Sequence, residues 1–177
     1  MNTLPLHPAV VHVPLGLALV MPALFAGLLW AVYTNRLPRA AWLVGLVLQG
    51  FLLGAALVAL RTGEQDEERA EARASEAQVD AHAQSARAFT WAAGATFAAA
   101  GLALALRARP RAFAGAGLAS VLASLAMLAL GVQAGHRGAA LVHSAPGMDA
   151  PAAPGEADGE PRAATGSSVE HDEDDDD

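Results

Sequence analysis

Four long apolar runs separated by short polar breaks organise the chain: Val13–Val32, Ala41–Leu60, Ala88–Leu106 and Phe113–Val132. None contains a charged residue. A bilayer's hydrocarbon core is about 30 Å thick and takes roughly 20 helical residues to cross, so each run has the length of one span. Lipid offers the backbone no hydrogen-bond partners, and the glycines within the runs, such as Gly45, Gly50 and Gly54, therefore do not prevent helix formation. The pattern predicts an all-α bundle of four transmembrane helices. Strands of a barrel would be half as long and would alternate in polarity.

Between the second and third runs lies residues 63–87, rich in Ala, Glu, Arg and Gln, with acid–base neighbours three apart at Asp66/Arg69 and Arg73/Glu76. These residue types favour helix, so this connector is expected to carry a membrane helix outward on the external side. After Gly147 the composition turns to Ala, Pro, Gly, Glu and Asp, too poor in apolar side chains to offset the entropy of ordering. The expected organisation is a transmembrane domain over residues 1–146 and a disordered acidic tail over residues 147–177.

Within the first run, Pro14 and Pro22 each remove a backbone donor and crowd the preceding turn, predicting a bent helix, whereas Pro8 suits a first turn. Residues 1–11 carry no Lys or Arg and lack the basic start of a signal peptide, so the first run reads as an uncleaved span. Arg36 and Arg39 separate runs one and two; Arg107, Arg109 and Arg111 separate runs three and four; neither break holds an acidic residue. Arginines beside span ends stay in the cytoplasm, which predicts an inner-membrane protein with both termini on the periplasmic or extracellular side.

Composition agrees with a membrane protein, since 54% of the 177 residues are hydrophobic and only 16% are charged. The net charge of −7 is concentrated in the last residues, His171 to Asp177, and no basic patch suits nucleic acid. There is no cysteine, which removes disulfides, thiolate metal sites, iron–sulfur clusters and covalently attached haem. Glycine pairs Gly50/Gly54 and Gly131/Gly135 have the spacing that lets membrane helices approach closely, or that makes room for a flat cofactor. Trp30, Trp42 and Trp91 lie towards span ends, where indoles favour the interface.

The histidines are unevenly placed. Threading four spans puts His7 and His12 before span one, His82 before span three, and His136 and His143 after span four, all on the external face; His171 falls in the tail. Interfacial imidazoles can be inert, but two from different helices can hold haem iron axially, and three or more can hold copper or zinc. For haem b the candidate ligands are His12, His82 and His136; for copper or zinc they are His7, His12, His82, His136 and His143, with Glu64 or Asp80 as added donors. His12 precedes Gly16 by one turn, which would let a cofactor approach the backbone. Arg61, Arg87 and Arg137 are available to haem propionates. No HExxH pair, nucleophile elbow or phosphate loop is present, so a redox or binding subunit is favoured over a stand-alone enzyme.

The opening Leu6-His7-Pro8-Ala9-Val10-Val11-His12-Val13-Pro14 resembles the signature Leu-His-Pro-x-x-Val-His-Phe-Pro of a bacterial membrane-protein family catalogued as domain of unknown function 2231, with Val13 in place of Phe. Thr62-Gly63, His82-Ala83 and Gly135 to Val142 are similar to weaker motifs of that family, and the likeness covers roughly residues 4–147. Ala139 and His143 depart from its pattern of a second Gly and a Tyr, so His143 transfers least securely. Because that domain is found joined to Rieske-type or cytochrome modules, the resemblance implies redox work beside such partners by analogy. The leading expectation is thus a membrane-anchored electron-transfer subunit that binds b-type haem. A copper or zinc protein, and a scaffold or assembly factor without cofactor, are the alternatives.

Overall fold

The computed structural model describes residues 6–65 and 75–143. Residues 66–74 of the connector, and the tail beyond residue 143, lie outside the described residues. Four helices make up the fold: α1 (Leu6–Tyr33), α2 (Trp42–Gln65), α3 (Glu76–Ala105) and α4 (Pro110–His143), with one 3-10 turn, Arg39–Ala41, leading into α2. All four are long and apolar enough to cross a membrane, and no strand occurs among the described residues. The chain is a multi-pass membrane protein.

Each helix packs beside the next in sequence, and α4 closes the ring against α1. Short connections force antiparallel neighbours, giving an up-down-up-down bundle. The two short connections, residues 34–38 and 106–109, meet at one end, where Arg39 Nη1 donates to the Arg107 carbonyl at 3.0 Å. The start of α1, end of α2, start of α3 and end of α4 gather at the other end. The first is the loop end of the bundle and the second its terminal end.

The helices outrun their apolar cores. α3 has 30 residues and begins at Glu76, roughly three turns ahead of the third apolar run. Its start is organised by Ser75, whose N–H and hydroxyl both donate to Gln78 Oε1, at 3.2 and 3.1 Å. α4 has 34 residues, begins on Pro110, where a missing N–H is harmless, and continues to His143. The connector expected over residues 63–87 is thus divided, its first residues closing α2 and its last twelve opening α3. α1 runs as one helix through Pro14 and Pro22, both buried, with Pro8 in its first turn.

At the loop end, Trp42 occupies the bundle interior rather than the interface expected for it. It is fully buried, stacks obliquely on Phe25 at 5.2 Å and meets Phe113 edge-on at 5.4 Å, while its Nε1 donates to the Ala100 carbonyl at 3.1 Å. The 3-10 turn directs the first residue of α2 inward, and the helix carbonyl gives the indole N–H the partner that burial demands. Trp30 and Trp91 are exposed, as interfacial or lipid-facing indoles should be, and Arg36 lies over the Trp30 ring at 4.5 Å.

Mid-bundle, the core is more polar than a lipid-facing sequence suggests. Gln49, Thr96, Ser120 and Ser124 are wholly buried. The three hydroxyls donate back to carbonyls of their own helices: Thr96 to Ala92, Ser120 to Ala116 and Ser124 to Val121, at 2.7 to 2.9 Å. Gln49 instead crosses between helices, its Nε2 donating to the Ala93 carbonyl at 3.0 Å and touching Met127 Sδ at 3.4 Å. Of the glycine pairs, Gly50 lies under the Phe97 ring, where a Cβ would come within 3.1 Å, and Gly131 lies under Phe89, again at 3.1 Å, and beside Leu15 at 3.4 Å. These two serve close packing of aromatic rings from α3. Among the described residues, a Cβ at Gly54 or at Gly135 would meet nothing within 4 Å.

Candidate functional site at the terminal end

Three of the candidate histidines have described side chains, and all three stand at the terminal end. His82 lies in the seam between α3 and α4. Its imidazole rests on Gly138, where an added Cβ would come within 2.9 Å of Cε1, and its Nδ1 is buried. The backbone of α4 must be bare at that point for the ring to fit. Next to it, Arg137 Nη1 donates to the Ala81 carbonyl at 2.9 Å, while the Ser85 hydroxyl donates to the carbonyls of Ala81 at 2.8 Å and His82 at 2.9 Å. Arg137 thereby ties the end of α4 to the start of α3 and sets the register of the seam.

His12 and His136 are exposed. Their helical positions show where. Gly117 faces Leu29 of α1, and Gly135 is 18 residues further, five whole turns, so Gly135 also faces α1. His136 follows it on the outward side and continues the exposed stripe Leu118, Leu122, Leu125 and Val132. On α1, Leu15 faces Gly131 of α4, and His12 precedes Leu15 by three residues, roughly 60° round the helix towards the outside. Since α1 and α4 run antiparallel, His12 is level with the residues just before His136. The two imidazoles therefore flank the outer side of the α1–α4 seam.

Among the described residues, a Cβ added at Gly135 or at Gly16 would meet nothing within 4 Å. The proximity of Gly16 to His12 along one face of α1, expected from spacing, holds, and that face lies outside the bundle. His82 is on the other flank of α4, so the three histidines do not converge on one centre. Among the described residues no three His, Asp or Glu side chains come together as a metal-ligand group. His7 belongs to the first turn of α1 and His143 is the last residue of α4; their side chains lie outside the described set. Arg61 and Arg87 are exposed at this end, and Arg137 donates to the Ala81 carbonyl.

Gln49 is not among the residues singled out above, although, apart from the Trp42 indole, it is the only side chain with a polar atom in the run Ala41–Leu60. Its Oε1 is buried with no hydrogen-bond partner among the described residues.

No family model, curated protein or solved structure matches the chain. The resemblance to domain of unknown function 2231 rests on its motif residues alone. Of these, His12, His82 and Gly135 to Gly138 all map to the terminal end described above.

Proposed function

We propose that the protein is an inner-membrane electron-transfer subunit with both termini on the periplasmic side, holding one b-type haem through His12 and His136. The observation that carries this reading is the pair of exposed imidazoles flanking the outer α1–α4 seam, beside Gly16 and Gly135, where a Cβ would meet nothing within 4 Å among the described residues. Two imidazoles from separate helices can hold a flat macrocycle between them, glycines beside them leave room for it, and the residues present fit that arrangement. When bound, haem would supply one-electron exchange. The chain's own part would be to orient the two imidazoles, one from α1 and one from α4.

His82 takes a positioning role in this scheme. Its ring fills the α3–α4 seam over Gly138, beside the Arg137 to Ala81 hydrogen bond, and so fixes the stretch of α4 that carries His136. The orientation follows from the arginines of the two short connections, which belong on the cytoplasmic side. An external haem edge would face soluble partners of the periplasmic cytochrome or Rieske type. A copper or zinc centre would need a third ligand, for which His7 and His143 are the available imidazoles.

The visible spectrum of the purified full chain tests the reading. A Soret band is expected, with pyridine haemochrome showing haem b, and it should be lost in His12→Ala and in His136→Ala but retained in part in His82→Ala. Absence of haem from correctly folded wild-type protein reconstituted with haemin would sink the proposal; copper or zinc by elemental analysis would favour the metal reading.

A further inference from the structure

The loop end carries a second candidate site, independent of the histidines. Two hollows of about 390 and 300 Å³ lie there side by side. They share Val32, Asn35 and Arg39, and each adds an arginine of its own, Arg107 in the first and Arg111 in the second. The second also has an apolar wall of Leu29, Val32 and Phe113, which continues into the membrane-spanning part of α1 and α4.

We propose that the two hollows are halves of one binding site for an anionic phospholipid with two phosphodiester groups, the cardiolipin type. The charge at this end is one-sided. Five arginines, Arg36, Arg39, Arg107, Arg109 and Arg111, stand in or beside the two connections, and no Asp or Glu lies there to neutralise them. Arg39 is also preorganised. Arg39 is held by its Nη1 hydrogen bond to the Arg107 carbonyl, and a guanidinium has five N–H donors, so most of its fork is left for another acceptor. The depth suits a headgroup. Exposed Trp30 and Tyr33 mark this level as the membrane boundary, where headgroup phosphates reside.

The apolar wall separates a lipid from a free phosphate. A phosphate ion would use the arginines and leave Leu29, Val32 and Phe113 idle, whereas an acyl chain descending from a glycerol backbone would cover them. Two basic hollows joined at Arg39 favour a headgroup with two phosphates over one. In that arrangement Arg107 serves one phosphodiester, Arg111 the other, and Arg39 both.

Native mass spectrometry of the full chain released from mild detergent tests this with tetraoleoyl cardiolipin, dioleoyl phosphatidylglycerol and dioleoyl phosphatidylcholine. Cardiolipin should bind at least about tenfold more tightly than either of the others, with one molecule retained at low lipid. Arg111→Gln, an exposed position, should weaken it about tenfold, the loss of one charge-assisted phosphate contact. Arg36→Gln, whose guanidinium stacks on Trp30 and lines neither hollow, should change it less than about twofold; circular dichroism checks that both variants keep wild-type helix content. Equal losses in the two variants would mean diffuse attraction and overturn the site. So would equal affinity for phosphatidylglycerol, or displacement of cardiolipin by millimolar inorganic phosphate.

Discussion

Gln49→Leu should make the protein more stable. Gln49 is wholly buried at mid-bundle, and its two amide ends fare differently: Nε2 donates to the Ala93 carbonyl at 3.0 Å, while Oε1 has no partner among the described residues. The amide orientation is dictated by chemistry, because a flipped group would set Oε1 against the Ala93 carbonyl. Leucine fills a similar volume and removes both ends. Losing the donated bond costs about 0.5–1.5 kcal/mol, nearer 0.6 in membrane bundles, whereas removing an unpaired buried acceptor returns about 1–3 kcal/mol. The expected balance is a gain of about 1 kcal/mol. Gln49→Ala removes the same polar atoms but leaves a void against Met127 and Ala93, and should fall at least about 2 kcal/mol below the leucine variant. Both are read by reversible unfolding of the full chain in mixed micelles titrated with a denaturing detergent, followed by far-ultraviolet circular dichroism. A leucine variant less stable than wild type by about 1 kcal/mol or more would refute the reasoning. It would mean that Oε1 has a partner of its own, such as an internal water, and that the mid-bundle polar layer is a site.

The same unfolding assay separates the paired glycines. Gly131→Val places branched carbon where a Cβ alone would lie 3.1 Å from the Phe89 ring, and should cost about 1–3 kcal/mol by overpacking, while Gly135→Ala meets nothing within 4 Å among the described residues and should gain up to about 1 kcal/mol from helix propensity. Asn35 holds a left-handed backbone, φ 58°, in the turn after α1. Asn35→Gly should be neutral or slightly stabilising, and Asn35→Val should cost about 1–2 kcal/mol; equal stabilities would show that the turn can relax out of the left-handed region.

Much of the architecture was legible in the residues because lipid enforces it. Apolar runs of span length have one viable backbone arrangement, and two short connections leave neighbours antiparallel, so four helices follow from hydropathy alone. Spacing also placed His12 and Gly16 on one face of α1, since helical periodicity is a local property. What periodicity cannot state is which face turns inward. Trp42 illustrates this: its position near a span end suits an interface, but the 3-10 turn of Arg39–Ala41 rotates it into the core between Phe25 and Phe113.

The candidate site divides along the same line. That the candidate histidines share one end of the bundle follows from counting spans. That His82 lies in the α3–α4 seam over Gly138, while His12 and His136 flank the outer α1–α4 seam, depends on how α4 is rotated between its two neighbours. The bare glycines could have served packing or a cofactor by sequence; contact geometry assigns Gly50 and Gly131 to packing and leaves Gly135 open. The two arginine hollows likewise exist only because separate connections, some seventy residues apart in the chain, are joined by the Arg39 to Arg107 hydrogen bond. Hydrophobicity and chain length fix the number and length of the helices. Rotation about each helix axis is set by side-chain packing against two neighbours at once, and only the tertiary structure decides it.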